Sequence, residues 1–396
     1  MPAPSDPVAG LSQAVLGELE RVMDGSPLFD VHTHIGFNDP DGMHQSEEEL
    51  YAVLDRAGAA RAVTFPMHEP EGYPEHNDHV IDIARRSGGR IVAFARLDPG
   101  ADAVGEGRRA LDAGAVGLKL HPRAERFTLS DDGVEPIFAL ADEARVPVIV
   151  HAGRGIPALG RDAVAYCRRY PSARVILAHA GICDLAWIWQ TARELPNLLF
   201  DTAWWNPADM LALFSMVPPG NLLFASDAPY GQTLLPGAVI DLRIARQVGH
   251  SDALLRQHFA GRLETVLDPT AELGDLGPAP RLAHTERDPL LERIQSWTML
   301  ASFLTFRAPD AAAEPIALAR LSCALGTDSP HAQLCREVLA LLDAAEDEIA
   351  IADRDSSTEA PPRRAGARPL ISAAIIAATP DVQLPPVPPD APAPER

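Results

Sequence analysis

The chain alternates short apolar runs with amphipathic stretches. Runs at 28–34, 60–66, 91–97, 115–121, 146–150, 173–178, 198–202 and 221–226 are rich in Val, Ile, Leu, Ala and Phe. They are bounded by Gly, Pro or polar residues, as the buried strands of a parallel sheet are. Between them apolar positions recur three and four apart, predicting helices over about 76–87, 102–113, 133–145 and 160–170, around Trp187 and Trp189, and on to Leu267. Ser46 with Glu49 three residues later has the capping-box pattern, starting a helix that runs to about Gly58. Eight such repeats over about 240 residues define an α/β fold of the (β/α)8, or TIM-barrel, class.

The flanks have a different pattern. Leu11, Val15, Leu16, Leu19, Val22 and Met23 fall at helical spacing, predicting a helix that packs on the barrel before the first strand. After about 270, Gly274, Gly277, Pro278 and Pro280 mark a linker. Leu290, Leu291, Ile294, Trp297 and Leu300, then Leu334, Val338, Leu341 and Leu342, predict a helical appendage that covers the barrel or pairs with a second subunit. Ten prolines fall in the last 42 residues, which reads as a disordered tail with a short apolar segment at 371–378. The expected division is an N-terminal helix at 1–27, the barrel at 28–270, the helical appendage at 271–354 and a Pro-rich disordered tail at 355–396.

Composition narrows the function classes. An apolar content of 46% suits a globular protein, and the chain lacks the run of about 18 apolar residues that spans a membrane. A formal charge of −21 argues against nucleic-acid and anionic-membrane partners, which select for Lys and Arg patches. The first residues have neither the basic nor the apolar region of a signal peptide. Cys167, Cys183, Cys323 and Cys335 form no Cys-x-x-Cys pair, so they read as reduced thiols in a cytoplasmic protein. The expected partner is a small-molecule substrate, with a homo-oligomer left open.

Candidate chemistry gathers at the ends of the apolar runs. His32 and His34 stand one residue apart at the end of the first run, where strand geometry aims both at one face. Later runs end in Lys119, His151, His179 and Asp227. Reactive side chains at the carboxyl ends of successive strands are how a (β/α)8 barrel builds an active site. His32, His34, His151 and Asp227 offer three imidazoles and a carboxylate, a donor set for one ion of Zn²⁺ or another divalent metal. His179 would be the general acid or base, with Asp227 also able to carry a proton. Lys119 is the chain's only lysine and shares a strand face with His121, so it suggests chemistry that arginine cannot do. Arg154 lies between Gly153 and Gly155, where it could meet a substrate carboxylate; with His121 and Trp204 it makes up the candidate substrate-binding set, and Trp204 and Trp205 follow the seventh run. His68, Glu69, Tyr73 and His76 in the loop after the second run are candidates for a substrate entrance.

These motifs together resemble the amidohydrolase superfamily of metal-dependent (β/α)8 hydrolases, in particular its branch related to aminocarboxymuconate-semialdehyde decarboxylase. The resemblance rests on Asp30-Val31-His32-Thr33-His34, Gly117-Leu118-Lys119-Leu120-His121-Pro122, His151, His179-Ala180-Gly181 and Ser226-Asp227-Ala228-Pro229-Tyr230-Gly231, and covers about 28–268. It implies metal ligands at His32, His34, His151 and Asp227 and a catalytic base at His179. In binuclear members the strand-four lysine is carboxylated, whereas single-metal sites are common in this branch. Gly261-Arg262-Leu263 departs from the family's frequent Gly-Asn-Ala, and 271–396 lies outside the resemblance.

The sequence therefore reads as a metal-dependent hydrolase acting on a C–N or C–O bond of a small substrate. The alternatives are a metal-dependent non-oxidative decarboxylase with the same residues, and a catalytically lapsed binding or scaffold barrel.

Overall fold

The computed structural model describes residues 7–58, 60–231, 233–280, 288–325, 330–355 and 365–384. Within them the strands are β1 (Phe29–Ile35), β2 (Arg61–Pro66), β3 (Ile91–Ala93), β4 (Ala95–Arg96), β5 (Leu118–Leu120), β6 (Pro147–Val150), β7 (Arg174–Leu177), β8 (Leu198–Asp201) and β9 (Leu222–Leu223). All of their pairings are parallel, in the orders β1-β2-β3 and β4 through β9. β3 and β4 are two halves of one strand interrupted at Phe94, the first bonded to β2 and the second to β5. The ring closes where Val31 N donates to Phe224 O at 3.0 Å and His34 N to Ala228 O at 2.9 Å. Eight strand positions result, one for each predicted run.

The strands are almost wholly buried because helices cover the barrel outside and side chains fill it inside. The helix before β2, Glu47–Arg56, starts with the expected capping box, Ser46 and Glu49 bonding each other's backbone. Pro7–Met23 forms the expected N-terminal helix, burying Val15, Leu19, Val22 and Met23. The pairing of β1 with β2 shifts register between Asp30 and Thr33. Asp30 braces this irregular stretch, its Oδ1 accepting from His32 N at 2.9 Å and Ser226 N at 3.1 Å.

Helices Pro289–Arg307, Ala313–Leu325 and Ala332–Asp355 form the expected appendage, with a second core around Leu291, Ile294, Ile316, Val338 and Leu342. The expected disordered tail needs correction. Within 355–396, Ala367–Ala378 is a helix with nine buried residues. Leu370, Ala373 and Ile376 pack into the appendage core while Ile371 and Ile375 pack into the barrel core. Arg243, on a barrel helix, fixes the end of this helix by donating to Thr379 Oγ1 at 2.9 Å and to Thr379 O at 3.1 Å. An apolar run that can bury two faces gains more than its ordering costs, whatever the proline content around it. The stretches of the expected tail at 356–364 and 385–396 lie outside the described residues.

Candidate metal centre

β1 delivers His32 and His34 so that both Nε2 atoms meet one oxygen, Oδ1 of Asp227, at 3.2 and 3.1 Å. Asp227 sits in the turn after β9 with left-handed backbone (φ 58°), and its N–H donates to His32 O at 2.8 Å. A non-glycine residue holds that conformation at a cost of order 1–3 kcal/mol, which the surrounding structure must offset. Among the described residues, His32, His34 and Asp227 form a group whose ligand atoms all lie within 4.8 Å of one another.

Asp201, at the end of β8, supports this group from below. Its Oδ2 lies 2.7 Å from His32 Nδ1, and its Oδ1 accepts from His179 N at 2.7 Å. A carboxylate on Nδ1 orients the ring and leaves the Nε2 lone pair for an ion. Burial, the largest cause, holds His32 and His34 well below the ordinary imidazole value. Both rings are therefore neutral, the form that ligates. Two neutral imidazoles and a carboxylate converging in this way fit a divalent ion.

His151 and His179 stand at the edge of the group. Nδ1 of His179 lies 3.0 Å from Ala203 O, and its Nε2 lies 2.9 Å from His151 Nδ1. A carbonyl cannot donate, so His179 carries its proton on Nδ1 and accepts at Nε2 from His151 Nδ1–H. That arrangement leaves His151 Nε2 as a bare lone pair, and this atom is buried with no hydrogen-bond partner. Gly153 permits the arrangement: a Cβ there would stand 2.8 Å from the His179 ring and 3.0 Å from the His151 ring. His121 stacks on His151 with ring centres 3.9 Å apart.

Lys119, fully buried on β5, places Nζ 3.4 Å from His32 Nε2 and 4.6 Å from the Phe65 ring centre. Burial pushes its amine down to about 7. These groups form the floor of a cavity of about 680 Å³ that opens at the carboxyl ends of the strands. Trp204 and Arg154 line its upper wall, the Arg154 guanidinium 5.2 Å from the Trp204 ring centre. Of the four expected entrance residues only His68 lines the cavity. Tyr73 is occupied instead with Glu125 at 2.5 Å, and Glu69 is buried and accepts from Asn38.

The expected metal, catalytic and substrate residues thus reach one cavity, unlike Glu69, Tyr73 and His76, and His151 stands beside the three-residue group rather than in it. Asp201 lies within the seventh apolar run but carries no spacing signal of its own, because a carboxylate that acts through another side chain leaves none. Arg96 and Tyr230 also line the cavity, as do Phe303, Phe306 and Arg307 from the appended helix.

A parallel barrel with imidazoles and a carboxylate converging at its strand ends defines the class of barrel enzymes that work with a divalent ion. The chain belongs to the amidohydrolase family, whose model matches residues 29–261. An uncharacterised TIM-barrel protein from Bordetella bronchiseptica is similar in fold, with a TM-score of 0.50 and 15% identity over 62% of this chain and 99% of that one. The 2,6-dihydroxybenzoate decarboxylase from Rhizobium gives a TM-score of 0.49 and 14% identity, covering 61% of this chain and 98% of that one. The 5-carboxyvanillate decarboxylase from Sphingomonas paucimobilis gives 0.48 and 15%, with the same coverage. No curated protein matches the sequence. No helix among the described residues is long and apolar enough to cross a membrane.

Proposed function

We propose that the protein is a metal-dependent hydrolase that attacks a C–N or C–O bond of a small substrate with water. What supports this reading is the juxtaposition of the His32–His34–Asp227 group with the His179–His151 couple, an ion site with a bare imidazole nitrogen beside it. One ion of Zn²⁺ or another divalent metal, held by His32, His34 and Asp227, would polarise the substrate carbonyl and acidify water. His151 Nε2 is placed to complete the ligand set or to take a proton. His179, anchored to Ala203 O, fixes the tautomer that keeps this nitrogen bare, and the couple passes the proton on. Asp201 holds His32 in its ligating orientation.

Non-oxidative decarboxylation is the second reading. It is favoured by buried Lys119, whose Nζ lies 3.4 Å from His32 Nε2 and suits a substrate that brings a carboxylate to the group. Incubating the metal-loaded protein in ¹⁸O-water with a panel of aromatic carboxylates, lactones and amides separates the two. Hydrolysis puts ¹⁸O into the organic product, whereas decarboxylation releases carbon dioxide from an unlabelled product. Turnover that persists undiminished after chelation contradicts both.

A further inference from the structure

The cavity is roofed by a segment that the family match does not include. Helix Pro289–Arg307 brings Phe303, Phe306 and Arg307 to the mouth, while the match ends at residue 261. Phe303 meets a guanidinium from the barrel: Arg154, on the loop after β6, has its Cζ 5.2 Å from the Phe303 ring centre and 5.0 Å from that of Trp205. Rings on several sides position the Arg154 head without neutralising it. Arg307 stands near enough to lower the Arg154 pKa, after the larger effect of desolvation. Arg123 and Arg126 also line the mouth.

The chain has 55 acidic and 34 basic residues, and many surface arginines find a carboxylate, as Arg21, Arg86, Arg108 and Arg109 do. Among the described residues none of Arg123, Arg126, Arg154 and Arg307 forms an ion pair. Arg307 is a cation in the last turn of its helix, which suits the helix dipole. The dipole does not explain why Arg154 faces the same cavity one helical turn away, against Phe303. Asp209, engaged by Trp204 Nε1 at 2.7 Å, acts on Arg154 more weakly than Arg307 does. Two guanidiniums facing one cavity, neither in an ion pair, suit an oxyanion.

We propose that Arg154 and Arg307 form an anion subsite at the barrel mouth that takes the second carboxylate of a dicarboxylate substrate whose first end reaches the metal group. The apolar body of that substrate lies against Trp204, Trp205, Phe303 and Phe306. The subsite rests on the proposed function for its orientation, and it makes the appended helix part of substrate selection.

The test is calorimetric binding of benzoate, isophthalate and terephthalate to the metal-loaded full-length chain, as wild type and as Arg307→Gln, Arg154→Gln and Arg307→Lys. Wild type should bind at least one dicarboxylate about tenfold more tightly than benzoate, the scale of a partly exposed charge-assisted contact. Each glutamine variant should remove most of that ratio, and Arg307→Lys should restore most of it while all variants keep their metal. A wild type with no dicarboxylate preference, or a preference that survives both glutamine variants, overturns the proposal. Repeating the titrations after chelation separates the two readings. If only the metal centre is misassigned, benzoate affinity ignores chelation while the arginine-dependent ratio remains; if only the subsite is misassigned, chelation weakens benzoate and the ratio is absent.

Discussion

At the floor of the cavity the polar groups hold one another, and at its mouth two arginines stand outside any ion pair. His32 lies between Asp201 and Asp227, Lys119 stands over the same group, and Arg96 is held by Glu125 at 2.8 Å. At the mouth, Arg154 and Arg307 share space with aromatic rings, and the nearby carboxylate of Asp209 is taken by Trp204 Nε1 at 2.7 Å. The floor is built from strand ends, whose positions the barrel's hydrogen bonds fix. The mouth is built from a loop and an appended helix, whose positions depend on how two cores pack. A fixed floor of mutually bonded groups can hold an ion and direct a proton, while a mouth with two arginines outside ion pairs can choose among ligands. Substitutions at the floor should change metal content and rate, and substitutions at the mouth should change preference alone.

The largest effect is expected from Asp227→Ala, which removes the oxygen that both imidazoles address. Metal content by elemental analysis should fall to background, with turnover down by well over the ~10–100-fold typical of a supporting residue. His179→Ala comes next: metal should stay while turnover drops by roughly 10²–10⁴-fold, the usual contribution of acid–base catalysis. Equal metal loss in both variants would place His179 among the ligands and blur the division within the floor. Asp201→Asn leaves the three ligand side chains in place but weakens their orientation, so metal affinity by competition with a chelator should fall ~10–100-fold.

The smallest expected effect lies away from both regions and calibrates them. His250, beneath the barrel helices, has its imidazole pushed down to about 4 by burial. Its folded value is below its unfolded one, so the unfolded state binds the proton first. Stability should fall as pH drops from about 6.5 towards 4, with a slope on the order of 1 kcal/mol per pH unit, and the slope should end below 4. Denaturant melts of wild type and His250→Phe across that window measure it, and identical slopes would remove His250 as the cause.

How much of this was legible in the sequence follows the same division. The eight apolar runs became eight strand positions because a buried parallel strand must be apolar on both faces, and no helix of that length would be. His32, His34, Lys119, His151, His179 and Asp227 were readable because each ends such a run. β5 and β9 came out shorter than their runs, although flanking residues still bond neighbouring strands, as Val116 N does to Ala93 O and Val31 N to Phe224 O. The helices of the appendage were readable from their period, but where they dock was not. Arg307 carries no local signal that it faces a cavity whose floor is far off in sequence. The tail was misread because the prolines at 361–362 and after 384 outweighed the apolar run between them, although Leu370 to Ala377 is what the two cores share.

The most direct test of the central claim is metal per chain, measured by elemental analysis after chelation and reloading, for wild type and His34→Ala. The account predicts one ion per chain in wild type and almost none in the variant at the same free-metal concentration. No ion in the reloaded wild type, or the same content in both, would contradict it and leave the barrel as a binding scaffold.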